Sequence, residues 1–177
     1  MPTAKLSRRA FLQLAVAAGA TYALPASAAA APRHLSFAHT HTGETLALTY
    51  WRDGRYDPIA LKTIDHLLRD HRTGDIHAIE PRLLDFLYTV QCTLDCDVPF
   101  EVISGYRSPV TNEMLHRSTS GVASRSLHMD GRAIDVRLPG IRTARLRETA
   151  AALRLGGVGF YPDSGFVHLD TGRVRQW

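Results

Sequence analysis

The order of helical and strand-like patterns along residues 57–177 restricts this chain to a small number of folds. In chain order, the patterns are helices beginning at 57 and at 80, a strand at 99–104, a short helix at 111–116, a strand at 132–138, a helix at 143–155 and two strands at 158–161 and 166–170. Both early helices begin with an acidic residue followed by proline, and Gly156 and Gly157 are expected to end the helix at 143–155. This order favours an α+β domain with a small, mostly antiparallel sheet flanked by helices.

Residues 34–51 show a second strand-like pattern ahead of that domain. Apolar residues alternate with polar ones on both sides of a Thr42-Gly43-Glu44 turn, which is typical of a β-hairpin. We therefore expect an N-terminal hairpin extension at 29–56 and a main domain at 57–177.

The first 28 residues have the pattern of an export signal rather than of a folded segment. Arg8 and Arg9 precede an apolar stretch at 12–24, and Ala26 and Ala28 provide the small residues of a cleavage site. The arginine pair indicates the twin-arginine route, with the twin-arginine translocase as the partner during export. The stretch is short for a membrane span of ~20 residues. These features predict a periplasmic protein, membrane-anchored if the leader is not cleaved.

Removing this leader changes the charge of the chain. The leader carries three basic residues and no acidic one, so its loss lowers the formal charge from +4 to +1. A nucleic-acid partner is therefore not expected, because phosphate backbones require a clustered basic surface. Cys92 and Cys96 are too few for a zinc knuckle, and they form either a disulfide or two free thiols.

Two histidines and an acid could form a metal site. His128 follows a polar loop, Asp135 lies in the alternating strand, and His168 lies in the last strand. Two imidazoles and one carboxylate are a usual ligand set for catalytic zinc. The spacing alone is a weak pattern, because nine histidines make chance pairings with acids common.

Two charged residues near these positions could take part in catalysis. Asp170 shares a strand face with His168, so it is a candidate proton acceptor, although it could instead orient a histidine. Arg107 follows a buried strand and could stabilise an oxyanion or hold a carboxylate. It could equally form a surface ion pair with Glu113 or Asp130.

The residues at these positions resemble a known group. Ser126–Asp135 matches the S-x-H-x-x-G-x-A-x-D signature of the LAS zinc peptidases, the group of lysostaphin, D-Ala-D-Ala carboxypeptidases and the hedgehog fold. Together with Ser104–Ser108, Gly156–Tyr161 and Phe166–Asp170, it resembles the murein endopeptidase K-like branch, which commonly carries a twin-arginine leader.

The resemblance implies a ligand set and a cofactor. His128, Asp135 and His168 would hold zinc (Zn2+), Arg107 would stabilise the transition state, and Ser126 would lie near the ligands and contact substrate. Many relatives have a glutamate base three residues before the last histidine, where this chain has Gly165. We expect Asp170 to replace it, and Asp163 is a weaker candidate.

The expected function is zinc-dependent hydrolysis of peptide cross-links in peptidoglycan. The stem peptides of the cell wall would be the substrate, and no stable protein partner is predicted. Two alternatives stay open: a carboxypeptidase or dipeptidase of the same fold, and a non-catalytic zinc domain that binds wall peptides.

Overall fold

A computed structural model describes residues 31–118 and 123–177, and the predicted leader lies outside these residues. The described chain forms eight strands, four α-helices and one 3-10 helix. The strands are β1 (Arg33–His39), β2 (Thr45–Arg52), β3 (Arg55–Tyr56), β4 (Phe100–Ser104), β5 (Ala133–Arg137), β6 (Gly157–Tyr161), β7 (Phe166–Asp170) and β8 (Arg175–Gln176). The helices are α1 (Pro58–Leu67), α2 (Pro81–Leu94), α3 (Pro109–Ser118) and α4 (Thr143–Leu153), with the 3-10 helix at Leu127–Asp130.

All eight strands belong to one mixed sheet, in the order β3-β2-β1-β4-β5-β7-β6-β8. The α+β class is confirmed, but the prediction of a small sheet is wrong. The reason is that the N-terminal hairpin joins the sheet: β1 pairs in parallel with β4, which begins after α1 and α2. The second parallel pair is β6 with β8, and the remaining neighbours are antiparallel.

Helices α1, α2 and α4 cover the sheet and enclose the apolar core. Helix α1 contacts β2, α2 contacts β1, and α4 contacts β6, β7 and α2. Asp57 caps α1 as predicted, because its side chain accepts hydrogen bonds from the backbone N–H groups of Ile59 and Ala60. The hairpin contributes Leu35, Phe37 and Tyr50 to the same core. Residues 31–56 therefore share one sheet and one core with the rest of the described chain.

The end of α4 differs from the sequence expectation. Arg154, not a glycine, takes the left-handed conformation that ends the helix, with φ of 54°. Gly156 and Gly157 instead allow the backbone to approach Asp170. A Cβ on Gly156 would lie 1.7 Å from the Asp170 carbonyl oxygen, and one on Gly157 would lie 2.4 Å from its Oδ2. These two glycines therefore pack the chain around Asp170.

Two further observations concern the length of the helices and the two cysteines. Among residues 31–118 and 123–177, every helix is too short or too polar to cross a bilayer. Cys92 is exposed, Cys96 is half-buried, and both are free thiols.

Candidate metal centre

Three separate elements bring His128, Asp135 and His168 together. Asp135 in β5 and His168 in β7 are directly opposite each other in the antiparallel pair. His128 comes from the 3-10 helix that precedes β5. One ligand atom from each of the three side chains lies within 4.8 Å of the others, and all three residues are buried. We refer to His128, Asp135 and His168 as the metal cluster.

The hydrogen bond of His128 to the backbone fixes which ring nitrogen carries its proton. Nδ1 lies 2.7 Å from the carbonyl oxygen of Gly105, which can only accept a hydrogen bond. Nδ1 therefore carries the proton, and the lone pair of Nε2 is free. That nitrogen lies 3.2 Å from Asp135 Oδ1 and 3.2 Å from His168 Nδ1. The free lone pair of His128 thus faces the other two members.

His168 is fixed in the same way by a carboxylate. Its Nε2 lies 3.1 Å from Asp170 Oδ2, and the tautomer in which Nε2 donates to that oxygen leaves the lone pair on Nδ1. Nδ1 lies 2.8 Å from Asp135 Oδ1. A histidine held by a carboxylate on its far nitrogen is the usual arrangement of a metal ligand.

The distances and charges of the metal cluster fit a small divalent cation. Its three ligand atoms are separated by 2.8–3.2 Å, close to the ~3.3 Å expected for a tetrahedral ion with ligand bonds of about 2.0–2.1 Å. Burial opposes ionisation of Asp135, but attraction to His128 and hydrogen bonds to both histidines hold the pKa of Asp135 well below its usual range. Two nitrogens and a carboxylate oxygen are also the donors that zinc prefers.

The same environment favours positive charge at one of the imidazoles. Burial alone would lower the pKa of His168, but hydrogen bonds to Asp135 and Asp170 outweigh it and raise the pKa to about 9. Burial dominates at the other imidazole and lowers the pKa of His128. The metal cluster therefore favours one added cation, a proton or a metal ion, at the point where the lone pairs meet.

Arg107 lies beside the metal cluster and not in a surface ion pair. Its Nη2 is 3.4 Å from Asp135 Oδ2 and 3.4 Å from Ser104 Oγ, and 11% of its side chain is exposed. Burial lowers the pKa of Arg107, while attraction to Asp135 opposes that shift. An arginine remains a cation under these conditions, so a fixed positive charge borders the candidate metal position.

Asp170 lies next to His168, as strand alternation predicts, but its carboxylate is fully buried. Both oxygens are engaged: they accept hydrogen bonds from the backbone of Gly157 and Gly172 and form an ion pair with Arg175 at 2.7 Å. Burial would raise the pKa of Asp170, but the bonds to His168, Arg175 and the backbone hold it well below its usual range. The geometry favours the alternative role considered for Asp170, orientation of His168, over proton transfer.

A cavity of about 580 Å³ opens onto the metal cluster. Its wall includes residues that the sequence reasoning did not select: Arg125, Tyr161, Phe166, Arg175 and Trp177. The Trp177 ring lies 5.3 Å from the His168 ring and covers one side of the cluster. Arg175 and Trp177 are two residues apart, so strand alternation places them on the same face. The sequence indicates this only weakly, because β8 is two residues long.

Ser126 has a structural contact besides its place in the cavity wall. Its Oγ accepts a hydrogen bond from the backbone N–H of His128 at 3.4 Å and so caps the 3-10 helix. Of the two carboxylates considered as bases, neither lines the cavity: Asp170 is buried behind His168, and Asp163 is exposed in the β6–β7 turn.

The fold and the site define a class of protein: an α+β domain in which two histidines and an aspartate that could hold a metal ion lie beside a cavity, an arrangement that fits a peptidase. The family model described as peptidoglycan L,D-endopeptidase MepK matches residues 27–177, and the chain belongs to this family.

Individual relatives agree with the family model. The chain is 43% identical over 147 residues to the probable peptidoglycan L,D-endopeptidase MepK of Haemophilus influenzae, covering 82% of this chain and 79% of the relative. It is also 43% identical over 147 residues to the peptidoglycan L,D-endopeptidase MepK of Escherichia coli K12, covering 82% and 80%. No solved structure matches the chain.

Proposed function

We propose that this protein is a zinc-dependent endopeptidase that hydrolyses L,D peptide cross-links of peptidoglycan in the cell envelope. The observation that carries the proposal is the convergence of two histidine lone pairs and one carboxylate oxygen at the base of a cavity. Membership of a peptidase family whose relatives are named for this activity supports the choice of substrate.

The metal cluster would hold zinc through His128 Nε2, His168 Nδ1 and Asp135. A zinc ion would supply Lewis acidity. It would polarise a peptide carbonyl and lower the pKa of water, so that hydroxide is available to attack the carbonyl near neutral pH. Three protein ligands leave a further position for the reactants, which is typical of catalytic sites. A structural site, by contrast, is closed by four ligands.

Arg107 contributes the fixed cation that this reaction needs. Negative charge develops on the carbonyl oxygen as the carbon becomes tetrahedral, and a pre-positioned cation stabilises that charge without reorganisation. Arg107 is already held by Asp135 and Ser104 within hydrogen-bonding range. Its side chain therefore does not have to be ordered when substrate binds.

Asp170 acts on the metal cluster through His168. Its ion pair with Arg175 and its backbone hydrogen bonds keep the carboxylate in place, and the carboxylate keeps Nε2 of His168 protonated. This arrangement aims Nδ1 at the metal position and makes it a stronger donor. In this role Asp170 transfers no proton to or from the substrate.

The charge of the cavity suits peptides with free carboxylates. Arg107, Arg125 and Arg175 line it, and Asp135 is the one acidic residue among the described lining residues. Stem peptides of peptidoglycan carry free carboxylates, so they complement this wall. Ser126 is part of the cavity wall, where its hydroxyl would contact the peptide.

The leader at 1–28 supports a periplasmic location, reached through the twin-arginine translocase. Peptidoglycan is the substrate that a hydrolase in this compartment meets. Residues 29–56 would then begin the exported chain with the hairpin, and 57–177 would carry the metal cluster.

Digestion of purified sacculi tests the proposal. Zinc-loaded protein is incubated with sacculi, the soluble products are weighed by mass spectrometry, and metal-stripped protein is the control. We expect cross-linked muropeptides to be converted to monomers by cleavage of an L,D bond, only with the metal-loaded protein.

Each alternative gives a different result in the same assay. Release of terminal residues without loss of cross-links would identify a carboxypeptidase. Retention of the protein on sacculi with no new products would identify a non-catalytic binding domain. Either result would refute the endopeptidase.

A further inference from the structure

The cavity wall offers hydrogen-bond donors to a substrate but no free carboxylate. Among the described lining residues Asp135 is the one acid, and it belongs to the metal cluster. Tyr161, at the end of β6, lies on the same wall. Its hydroxyl has no role in the proposed function.

The direction of the Tyr161 hydroxyl is set by Trp177. The indole Nε1–H of Trp177 lies 3.0 Å from Tyr161 Oη, and an indole nitrogen can only donate. Tyr161 Oη is therefore the acceptor in this bond, and its own proton is left for another partner. No acceptor for that proton is found among the described residues.

The Tyr161 ring is held firmly where it lies. It stacks on Phe166 of β7 with ring centroids 4.7 Å apart and planes 19° apart. Trp177 approaches closely because residue 159 is glycine, where a Cβ would lie 2.7 Å from the indole ring. The hydroxyl is thus positioned before substrate binds, which is the condition for a donor to stabilise developing charge.

Tyr161 and Arg107 line the same cavity. Arg107 borders the metal cluster on one side, and Trp177 packs on His168 on the other. The Tyr161–Trp177 pair and Arg107 therefore border one cavity, which the metal cluster also lines.

We propose that Tyr161 is a further catalytic residue, whose hydroxyl donates a hydrogen bond to the oxygen of the scissile carbonyl as negative charge develops there. Trp177 is its positioning residue. The inference rests on the proposed function, because it needs a peptide carbonyl in the cavity. No covalent bond to Tyr161 forms and its proton is not lost.

The test is Tyr161→Phe, which keeps the ring and its stacking on Phe166 but removes the hydroxyl. We expect kcat for a cross-linked muropeptide to fall about 100-fold, the usual effect of losing one oxyanion donor, with KM little changed. Zinc content should equal that of the wild type. Tyr88→Phe, a hydroxyl removal on α2, is the matched control and should leave kcat unchanged.

Binding of an inhibitor gives a readout that does not depend on turnover. A phosphinic analogue of the cross-link carries a tetrahedral anionic group, so its affinity should fall in Tyr161→Phe. The affinity for the amine-bearing product peptide should be unchanged, because that product carries no oxygen from the scissile carbonyl.

A double-mutant cycle tests the role of Trp177. Trp177→Phe keeps an aromatic ring but removes the N–H donor, and we expect kcat to fall about fivefold to tenfold. In the Tyr161→Phe background the same change should have no further effect, because the hydroxyl it orients is gone.

Four results would overturn the inference. Tyr161→Phe with wild-type kcat and wild-type inhibitor affinity would refute it and leave the endopeptidase intact. A loss of zinc or of thermal stability in Tyr161→Phe equal to the loss of activity would show a structural role instead. If the effects of the two substitutions on kcat were additive, Trp177 would not position the Tyr161 hydroxyl. A wild-type protein that cuts no cross-link would refute the proposed function, and the inference with it.

Discussion

Two groups of histidines in this protein have opposite environments. The metal cluster joins two imidazoles to a carboxylate at the edge shared by β5 and β7. A second group, His39, His41 and His71, joins three imidazoles with no carboxylate among them, and we refer to it as the histidine cluster. Its ring centroids lie 4.2–6.0 Å apart. Residue type alone would make the histidine cluster the better metal site, and the hydrogen bonds show why it is not.

The histidine cluster presents no convergent lone pairs. Nδ1 of His39 accepts a hydrogen bond from the backbone N–H of His41 at 3.2 Å, so Nε2 must carry the proton in the neutral ring. His41 and His71 stack face to face, with planes 9° apart, so their ring edges do not turn toward a common point. In the metal cluster, acceptors behind each ring produce the opposite result.

The two groups also differ in which charge they favour. Burial, together with the nearby Arg72 and the other two imidazoles, lowers the pKa of His71 to about 4. The carboxylates of Asp135 and Asp170 raise the pKa of His168 to about 9 against the effect of burial. Two carboxylate partners therefore outweigh burial at His168, whereas burial is the largest influence on His71.

The largest effect that separates the two groups is on metal content. His128→Ala or His168→Ala removes one of three ligands, so we expect stoichiometric zinc to be lost and cleavage to fall by on the order of 1,000-fold. His41→Ala and His71→Ala should retain one zinc per chain. Elemental analysis of the dialysed proteins measures this.

Either of two outcomes would contradict that comparison. Full zinc occupancy in His128→Ala or His168→Ala would remove the metal cluster as the site. Loss of zinc in His71→Ala with the metal cluster unchanged would place the ion in the histidine cluster.

A smaller effect concerns the carboxylate behind His168, which the histidine cluster lacks. Asp170→Asn keeps the shape of the side chain but removes the charge, so we expect the Kd for zinc to rise about 10-fold to 100-fold. Activity should largely return when zinc is saturating. Titration with a chelator of known affinity measures the Kd, and Asp163→Asn is the matched control on the β6–β7 turn.

This variant also decides between the two roles considered for Asp170. If Asp170 were the proton acceptor, kcat would stay low at saturating zinc while the Kd remained that of the wild type. That outcome would restore the base role that strand alternation suggested.

The sequence predicted which of these residues lie together better than it predicted the sheet that carries them. Period-two alternation correctly located β5 and β7, and the Ser126–Asp135 signature contains two of the three residues that the fold brings together, His128 and Asp135. The size of the sheet was not predictable in this way, because alternation does not reveal which strand pairs with which. The parallel pairing of β1 with β4 crosses more than sixty residues.

Local patterns also failed where a partner is distant in sequence. Gly156 and Gly157 look like a helix cap, but their neighbour is Asp170 on another strand. Asp170 looked free on the face of His168 because its partner, Arg175, lies on a short strand beyond the hairpin. The residue that pairs with a carboxylate is decided by tertiary structure. The ion pair between Arg175 and Asp170 is why the geometry favours orientation of His168 over proton transfer.

The smallest effect is the pH dependence of stability that the histidine cluster introduces. The pKa of His71 is about 4 in the folded protein and 6.5 as a reference. Between these values the unfolded chain binds more protons, so the stability contributed by neutral His71 is present above pH 6.5 and is lost as the pH falls toward 4. The groups that oppose its protonation are Arg72, His41 and His39, and Asp70 favours it.

Replacing His71 by glutamine should therefore make the free energy of unfolding fall less steeply as the pH is lowered below 7. The free energy of unfolding of the wild type should be lower at pH 4.5 than at pH 7. Because solvent partly screens the ring, we expect this difference to be smaller by about 1 kcal/mol in the variant. Urea unfolding of both proteins at the two pH values measures it, and any release of zinc at low pH affects both equally. Parallel profiles would mean that the pKa of His71 is the same in the folded and the unfolded chain, and the contrast between the two clusters would then be one of hydrogen bonding and not of charge.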